Sequence, residues 1–229
     1  MTDLAIEVEN LVKVYGEGEA KTYALRGINL AIERGDYVAI MGPSGSGKST
    51  LLNLMGALDR PTSGRISISG KDISRMSSVE LANVRNREIG FVFQSFNLIN
   101  RMTALENVQL PLLLRNLSPP ERRRRAMMIL KQFGLSEKAW NKPDQLSGGE
   151  QQRVAVSRAL ASDPTIILAD EPTGNLDSKN AEQMMQILGK LNEELGKTLV
   201  VITHSEEVAR KSRKIIHIKD GKIERVEEN

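Results

Sequence analysis

Gly42-Pro43-Ser44-Gly45-Ser46-Gly47-Lys48-Ser49 is the stretch on which the rest of the chain hangs. It follows an apolar run, Tyr37-Val38-Ala39-Ile40-Met41, that reads as a buried strand. It precedes Thr50-Leu51-Leu52-Asn53-Leu54-Met55, which reads as the start of a helix. Strand, glycine-rich loop and helix are the context in which G-x-x-x-x-G-K-[ST] signifies phosphate binding. The glycines let successive backbone N–H groups turn inward, and the helix N-terminus adds partial positive charge. Lys48 reaches terminal phosphates as a point charge, and the Ser49 hydroxyl is placed to ligate the Mg2+ that accompanies them.

A second apolar run, Thr165-Ile166-Ile167-Leu168-Ala169, delivers two adjacent carboxylates, Asp170 and Glu171. Neighbouring side chains at a strand end diverge, so Asp170 can address Mg2+ while Glu171 addresses a water. A third run, Lys197 to Thr203, ends at His204, one of only two histidines. It lies where the carboxyl edges of open α/β sheets bind ligands. His217, inside Ile215-Ile216-His217-Ile218, reads as structural. Ile89 to Phe93 is a buried strand followed by Gln94, which matters only if it lies beside the phosphate loop.

Around these elements, Leu4 to Leu11 and Tyr23 to Ile32 read as two strands flanking the polar loop Gly16–Ala20, an antiparallel edge. Tyr15 stands just before that loop. Gly64 to Gly70 is another alternating strand. Ser77 to Arg87 reads as a helix capped by Ser78 or Ser77, with Glu80 placed for a capping box with Ser77, and Thr103 with Glu106 repeats the pattern. Thr103 to about Ser162 is mostly helical, interrupted at Pro111. Ser118-Pro119-Pro120-Glu121 starts a helix that runs to about Phe133 and stops at Gly134. Its Arg122–Arg125 run reads first as a solvated face, since four successive residues point around the whole helix, with a local contact to an acidic group or a phospholipid headgroup as the alternative. Ser147, Gly148 and Gly149, before the helix Gln152–Leu160, make a second anion-binding helix terminus. Asp220-Gly221 is a hairpin turn, and the charged residues after it are expected to fray.

Composition narrows the classes. The 229 residues are 40% hydrophobic and 27% charged, with a net charge of +3, ordinary for a soluble globular protein. Aromatic content of 3% supplies a base-stacking nucleic-acid surface poorly, and there are no cysteines. Met1-Thr2-Asp3-Leu4 has no basic n-region or apolar h-region, so no signal peptide is expected. No run approaches 18 apolar residues, so any membrane role needs a separate spanning partner.

Together these motifs closely resemble the nucleotide-binding subunit of ABC transporters, over essentially the full length. Leu146-Ser147-Gly148-Gly149-Glu150-Gln151 matches that family's signature. The resemblance implies an α/β P-loop NTPase (RecA-like) core with an antiparallel β subdomain and a helical signature subdomain. It makes residues 1–229 one ABC ATPase domain: 1–94 and 163–229 form the core with the β subdomain, and 95–162 the helical subdomain. It implies ATP and Mg2+ as ligands. By the same resemblance Tyr15 stacks on adenine. Gly42, Ser44, Gly45, Ser46, Gly47, Lys48, Ser49 and Thr50 hold the phosphates. Gln94 touches Mg2+ or the attacking water, Asp170 and Ser49 hold Mg2+, Glu171 is the general base, and His204 meets the γ-phosphate. Asn175-Leu176-Asp177 resembles the D-loop. Ser147, Gly148 and Gly149 serve the ATP on a second copy, in a head-to-tail dimer.

Met41 to Gly47, Gly90 to Gln94, Thr103 to Val108 and Pro172 to Asp177 resemble the macrolide-exporter and lipoprotein-releasing branch. That branch implies an integral-membrane permease partner, room for a periplasmic or extracytoplasmic adaptor, and a peripheral place on the cytoplasmic face of the membrane. The competing readings are a cell-division regulator of the same branch and a cytosolic ABC ATPase acting on nucleic acid or ribosomes. The second generally needs two cassettes or a long coiled-coil insertion, neither of which is present, so no nucleic-acid partner is expected.

Overall fold

The computed structural model describes residues 3–229; Met1 and Thr2, read above for a leader, lie outside the described residues. β1 (Leu4–Tyr15) and β2 (Thr22–Glu33) form a long hairpin, and β3 (Tyr37–Met41) runs into the glycine loop and α1 (Lys48–Met55). β4 (Ser63–Ile68), β5 (Lys71–Asp72), α2 (Ser78–Glu88) and β6 (Ile89–Phe93) follow. The helical section is α3 (Ala104–Gln109), a 3-10 segment (Leu110–Leu114), α4 (Pro119–Gln132) and α5 (Gly148–Leu160). β7 (Ile166–Asp170), α6 (Ser178–Glu193), β8 (Thr198–Ile202), α7 (Glu206–Ala209), β9 (Lys214–Lys219) and β10 (Lys222–Glu228) complete the chain.

The strands form two sheets, one four-stranded in the order β2-β1-β4-β5 and one six-stranded in the order β10-β9-β3-β8-β7-β6. The first is antiparallel throughout. The second is parallel except for the β9–β10 hairpin. β8 is buried along its whole length, and β3 and β7 are buried except at their last residue. A parallel sheet covered on both faces requires this, and it explains why these segments read as unbroken apolar runs. One face packs with α1, α2 and the antiparallel sheet, through Leu51, Leu52, Leu54, Met55, Leu81, Ile6 and Ile66. The other packs against α5 and α6, through Val156, Met184, Met185, Leu188 and Leu191. Full burial of one such side chain contributes about 1.5–3 kcal/mol.

Helices α3, α4 and α5 enclose a separate apolar cluster of Leu105, Val108, Leu112, Ala126, Leu130 and Val154. Sequence signals set their starts. Ser77/Glu80, Thr103/Glu106 and Ser147/Glu150 each close a reciprocal capping box, each cap contributing about 0.5–2 kcal/mol. Glu121 accepts the Ser118 N–H in the same way. α5 begins at Gly148, four residues before the expected Gln152, because the Ser147 cap sets its first turn. Pro111 converts the end of α3 to 3-10 geometry rather than ending the helical region.

One expectation is overturned. The C-terminal residues do not fray: β10 pairs with β9 as far as Glu228↔Lys214, and Asn229 donates to the Arg213 and Ser212 carbonyls. Asp220 and Gly221 both take positive φ, 49° and 76°, the geometry of a tight hairpin turn. His217 lies inside β9, in the strand interior where it was expected.

Candidate functional site

Register alone assembles the site. In the parallel sheet, Phe93 pairs with Asp170, Asp170 with Ile202, and Ile202 with Ile40. The residues that follow, Gln94, Glu171, Thr203-His204 and Gly42, therefore leave the same carboxyl edge together. Residues from 33 positions apart (Glu171 and His204) to 162 apart (Gly42 and His204) collapse onto one line because the four strands stop at one level.

The Gly42–Ser49 loop is shaped by backbone that a side chain would obstruct. Gly47 caps α1 at φ 106°, ψ 2°, a left-handed conformation glycine adopts without strain. A Cβ at Gly42 would collide with the Ile218 carbonyl, and one at Gly47 with the Ala24 carbonyl. Lys48 Nζ lies inside the curl, donating to Gly42 O at 2.9 Å and Pro43 O at 2.8 Å. Ser46 is buried, and its Oγ has no protein hydrogen-bond partner. A cation held by two carbonyls and an unsatisfied buried hydroxyl leave hydrogen-bonding capacity for anionic oxygens. Ser44, Gly45, Ser49 and Thr50 complete the loop and the first turn of α1.

Asp170 ends β7 half-buried, and burial first, then the negative charge of Glu171, raises its pKa; Lys48 opposes this. A carboxylate so placed calls for a cation. Glu171 has left the strand at φ 46°, at a cost of about 1–2 kcal/mol for a residue with a Cβ. The turn is held by Glu171 N–H to Ile202 O at 2.9 Å and Gly174 N–H to Glu171 O at 3.0 Å. It aims the carboxylate at His204, whose Nδ1 is 2.9 Å from Glu171 Oε1. Gln94 is exposed, and its carbonyl accepts from Asn175 Nδ2 at 3.0 Å. The Gln94 loop and the loop after β7 are thus tied together.

Tyr15 is on the antiparallel sheet, 42% exposed, with Thr50 of the first turn of α1 beside its hydroxyl. Its hydroxyl donates to Asp59 at 2.9 Å, and Lys13 Nζ lies 4.8 Å from the ring centroid and bridges to the same carboxylate at 2.8 Å. Burial and then Asp59 push the Tyr15 hydroxyl pKa upward. The ring is a fixed platform with a cation on it.

Ser147 caps α5 by accepting from Glu150 N–H at 3.3 Å. Ser147 and Gly148 are exposed, while Gly149 is buried where a Cβ would meet the Asn180 side chain. Among the described residues no hydrogen bond joins these three to the Gly42–Ser49 loop of the same chain. Asp177 caps α6, accepting from Asn180 N–H at 2.8 Å.

Sequence reasoning missed the residues that lock these parts. Buried Gln152 of α5 donates to Pro172 O at 2.8 Å. Arg158, on the same helix, donates to Phe96 O at 2.8 Å and to Asn97 O. Desolvation lowers the Arg158 pKa, and no carboxylate pairs with it among the described residues. Phe96 and Asn97 are both left-handed, at φ 58° and 51°. Arg158 reads in sequence as an ordinary helix cation, and Asp59 as an ordinary loop acid; only the tertiary contact distinguishes them.

Residues 25–174 match the protein family described as ABC transporter. An uncharacterized ABC transporter ATP-binding protein of Thermotoga maritima is 53% identical over 97% of this chain and 94% of its own length. MJ0796 of Methanocaldococcus jannaschii, likewise an ABC transporter ATP-binding protein, is 55% identical over 97% of this chain and 96% of its own. A macrolide export ATP-binding/permease protein of Syntrophobacter fumaroxidans is 49% identical over 96% of this chain, which spans 31% of that larger protein. The MJ0796 cassette, solved as a dimer in a post-hydrolysis state bound to ADP and Pi, superposes with a TM-score of 0.89. It has 53% identity and covers 97% of this chain and 98% of that one. The chain belongs to the ABC transporter family, as an ATP-binding cassette that hydrolyses ATP.

Proposed function

We propose that two copies of this chain close head-to-tail around two ATP molecules and drive an integral-membrane permease. The system is one of export, lipoprotein release or mechanical transmission, with the cassette on the cytoplasmic face. The carrying observation is the divided site. Lys48, Asp170, Glu171, Gln94 and His204 leave one sheet edge, while Ser147–Gly149 make no hydrogen bond to that edge's loop among the described residues. A C2 pair brings the second set to the first. The MJ0796 dimer supports the pairing, and the single-chain ATP-binding/permease relatives support a permease partner. No helix among the described residues is long and apolar enough to cross a membrane, which agrees with a separate spanning subunit or domain.

In this reading the loop amides and Lys48 hold the β- and γ-phosphates, the anionic charge for which the curled Lys48 and the free Ser46 Oγ are arranged. Tyr15 stacks on adenine. Ser49, Asp170 and Gln94 are the residues that would hold Mg2+. Its fit rests on the raised Asp170 pKa and on the mixed hydroxyl, amide and carboxylate donor set, which suits a hard cation that keeps waters and takes phosphate oxygens. When bound, Mg2+ neutralises charge on the phosphates. Glu171 accepts the proton of an in-line water, and His204 fixes the carboxylate that does so. Opening and closing of the dimer then carries the work to the permease.

Light scattering tests this on the wild type and Glu171→Gln, each with and without ATP. The variant becomes a stable dimer only with ATP, because the closed pair cannot hydrolyse its way open. A variant that binds ATP and stays monomeric overturns the autonomous sandwich.

A further inference from the structure

Charge is unevenly divided along the chain. Residues 95–162 carry eleven Lys and Arg against five Asp and Glu, a net of +6, although the whole chain is only +3. Five of the large apolar side chains that stand exposed also lie there: Ile99, Leu113, Leu114, Met128 and Trp140. The two features meet on α4. Arg123 lies 4.8 Å over the ring of Trp140, the chain's one tryptophan, which is 55% exposed. Arg124 shares a cleft with Arg123, Pro119, Pro120 and Met127. Met128, 61% exposed, follows Arg124 by one helical turn.

The local acids neutralise this surface only in part. Glu121 lies near Arg124, but its carboxylate is held in the Ser118 cap. Glu150 pairs with Lys138. Arg123, Arg124, Arg125 and Lys131 form no salt bridge among the described residues. The segment bearing Trp140 is fixed, since Leu105 and Ala104 N–H groups donate to the Ala139 and Asn141 carbonyls at 2.8 Å. A solvated helix face explains the arginines alone. It does not explain an exposed tryptophan on a backbone segment fixed by hydrogen bonds, with an exposed methionine on the same helix as the arginines.

We infer that the exposed face of α4, with Arg123, Arg124, Met128 and Trp140, binds the anionic headgroup layer of a membrane. The chemistry is that of the interface: indole and thioether enter the acyl boundary while guanidinium groups meet phosphate. Cations near such a surface attract it by about 1 kcal/mol each, and the attraction is screened by salt. The inference needs no permease, so it stands or falls separately from the reading above.

Trp140 makes the test direct. The full chain is titrated with phosphatidylglycerol/phosphatidylcholine vesicles and with pure phosphatidylcholine vesicles, following its emission. The expected result is a blue shift with anionic vesicles only, lost in about 1 M salt, where the Debye length is ~3 Å. Arg123→Gln with Arg124→Gln weakens vesicle binding roughly 10- to 30-fold and leaves ATPase activity unchanged. Unmoved emission, equal binding to neutral vesicles, or binding that leaves Trp140 in water overturns the inference. An equal shift with single-stranded DNA also overturns it, in favour of a nucleic-acid surface.

Discussion

His204 Nδ1 lies 2.9 Å from Glu171 Oε1, and the two residues come from neighbouring strands, 33 positions apart in sequence. An ionised carboxylate only accepts, so Nδ1 carries the hydrogen and the ring's Nε2 faces away. The imidazole is 76% exposed and the carboxylate 18%, so the histidine holds the carboxylate from its solvent side. His204→Ala frees the carboxylate. Turnover is expected to fall about 100-fold, the scale of a misdirected general base, while ATP affinity changes little. Equilibrium nucleotide binding beside steady-state turnover checks this; an equal loss in both would place His204 in ground-state binding instead.

Tyr15 predicts a different division. Asp59 and Lys13 fix its ring, and Lys13 lies on it, so a base has a rigid π-face to meet. Tyr15→Ala is expected to weaken ATP binding roughly 5- to 100-fold, the range of one base–aromatic stack, with the maximal rate preserved. Tyr15→Phe keeps the ring, loses the Asp59 bond and stays near wild type. A large loss in Tyr15→Phe would show that the hydroxyl, not the ring face, matters.

Much of this was legible in the sequence because the signals are local. A buried parallel strand is an apolar run, a capping box is two residues three apart, and the glycine loop carries its own geometry. β10 was not legible. Ile223 and Val226 stand three apart among charged residues, without the period of two that marks a strand, because the pairing with β9 shifts register between Ile223 and Arg225. Glu171's positive φ was hidden for the same reason, since the Ile202 carbonyl that holds its N–H comes from another strand. Asp59, Gln152 and Arg158 act through backbone groups or side chains far away in sequence, and no residue type announces that.

Arg158 gives the third prediction. It holds two consecutive left-handed residues, Phe96 and Asn97, just after Gln94, from a helix whose N-cap is Ser147. It is a positioning residue that couples the Gln94 loop to the C-terminal turn of α5, the helix that Ser147 caps at its other end. Arg158→Met leaves those carbonyls without donors and should lower stability by about 1–3 kcal/mol. It should lower the maximal rate by on the order of 10–100-fold, as expected when a site group is displaced by about an ångström. Arg158→Lys restores part of the stability but not the two-pronged geometry, so its rate remains low. Thermal melts and steady-state kinetics on both variants decide it; a lysine variant with full activity would reduce Arg158 to a packing role.

Asp170 sets function against stability. Its folded pKa is raised above 3.8 by burial and by Glu171, so the folded chain holds that proton more tightly than the unfolded chain does. The sign follows from linkage: this group's favourable contribution is present at low pH and is lost as pH rises through the folded pKa. Asp170 is half-buried beside the carboxylate of Glu171, and both that burial and that charge oppose its ionisation. Asp170→Asn removes that repulsion. The melting temperature of the nucleotide-free protein should rise by about 2–4 °C, the equivalent of ~1 kcal/mol at this chain length. Mg2+-dependent turnover should be lost. The difference in melting temperature between the two proteins should shrink as pH is lowered through the Asp170 pKa, because wild-type Asp170 is then neutral too. Melts from neutral pH down to about pH 4 measure it, near the ordinary aspartate value. A difference that persists unchanged at the acid end would mean that the gain comes from the amide's hydrogen bonds and not from relief of charge.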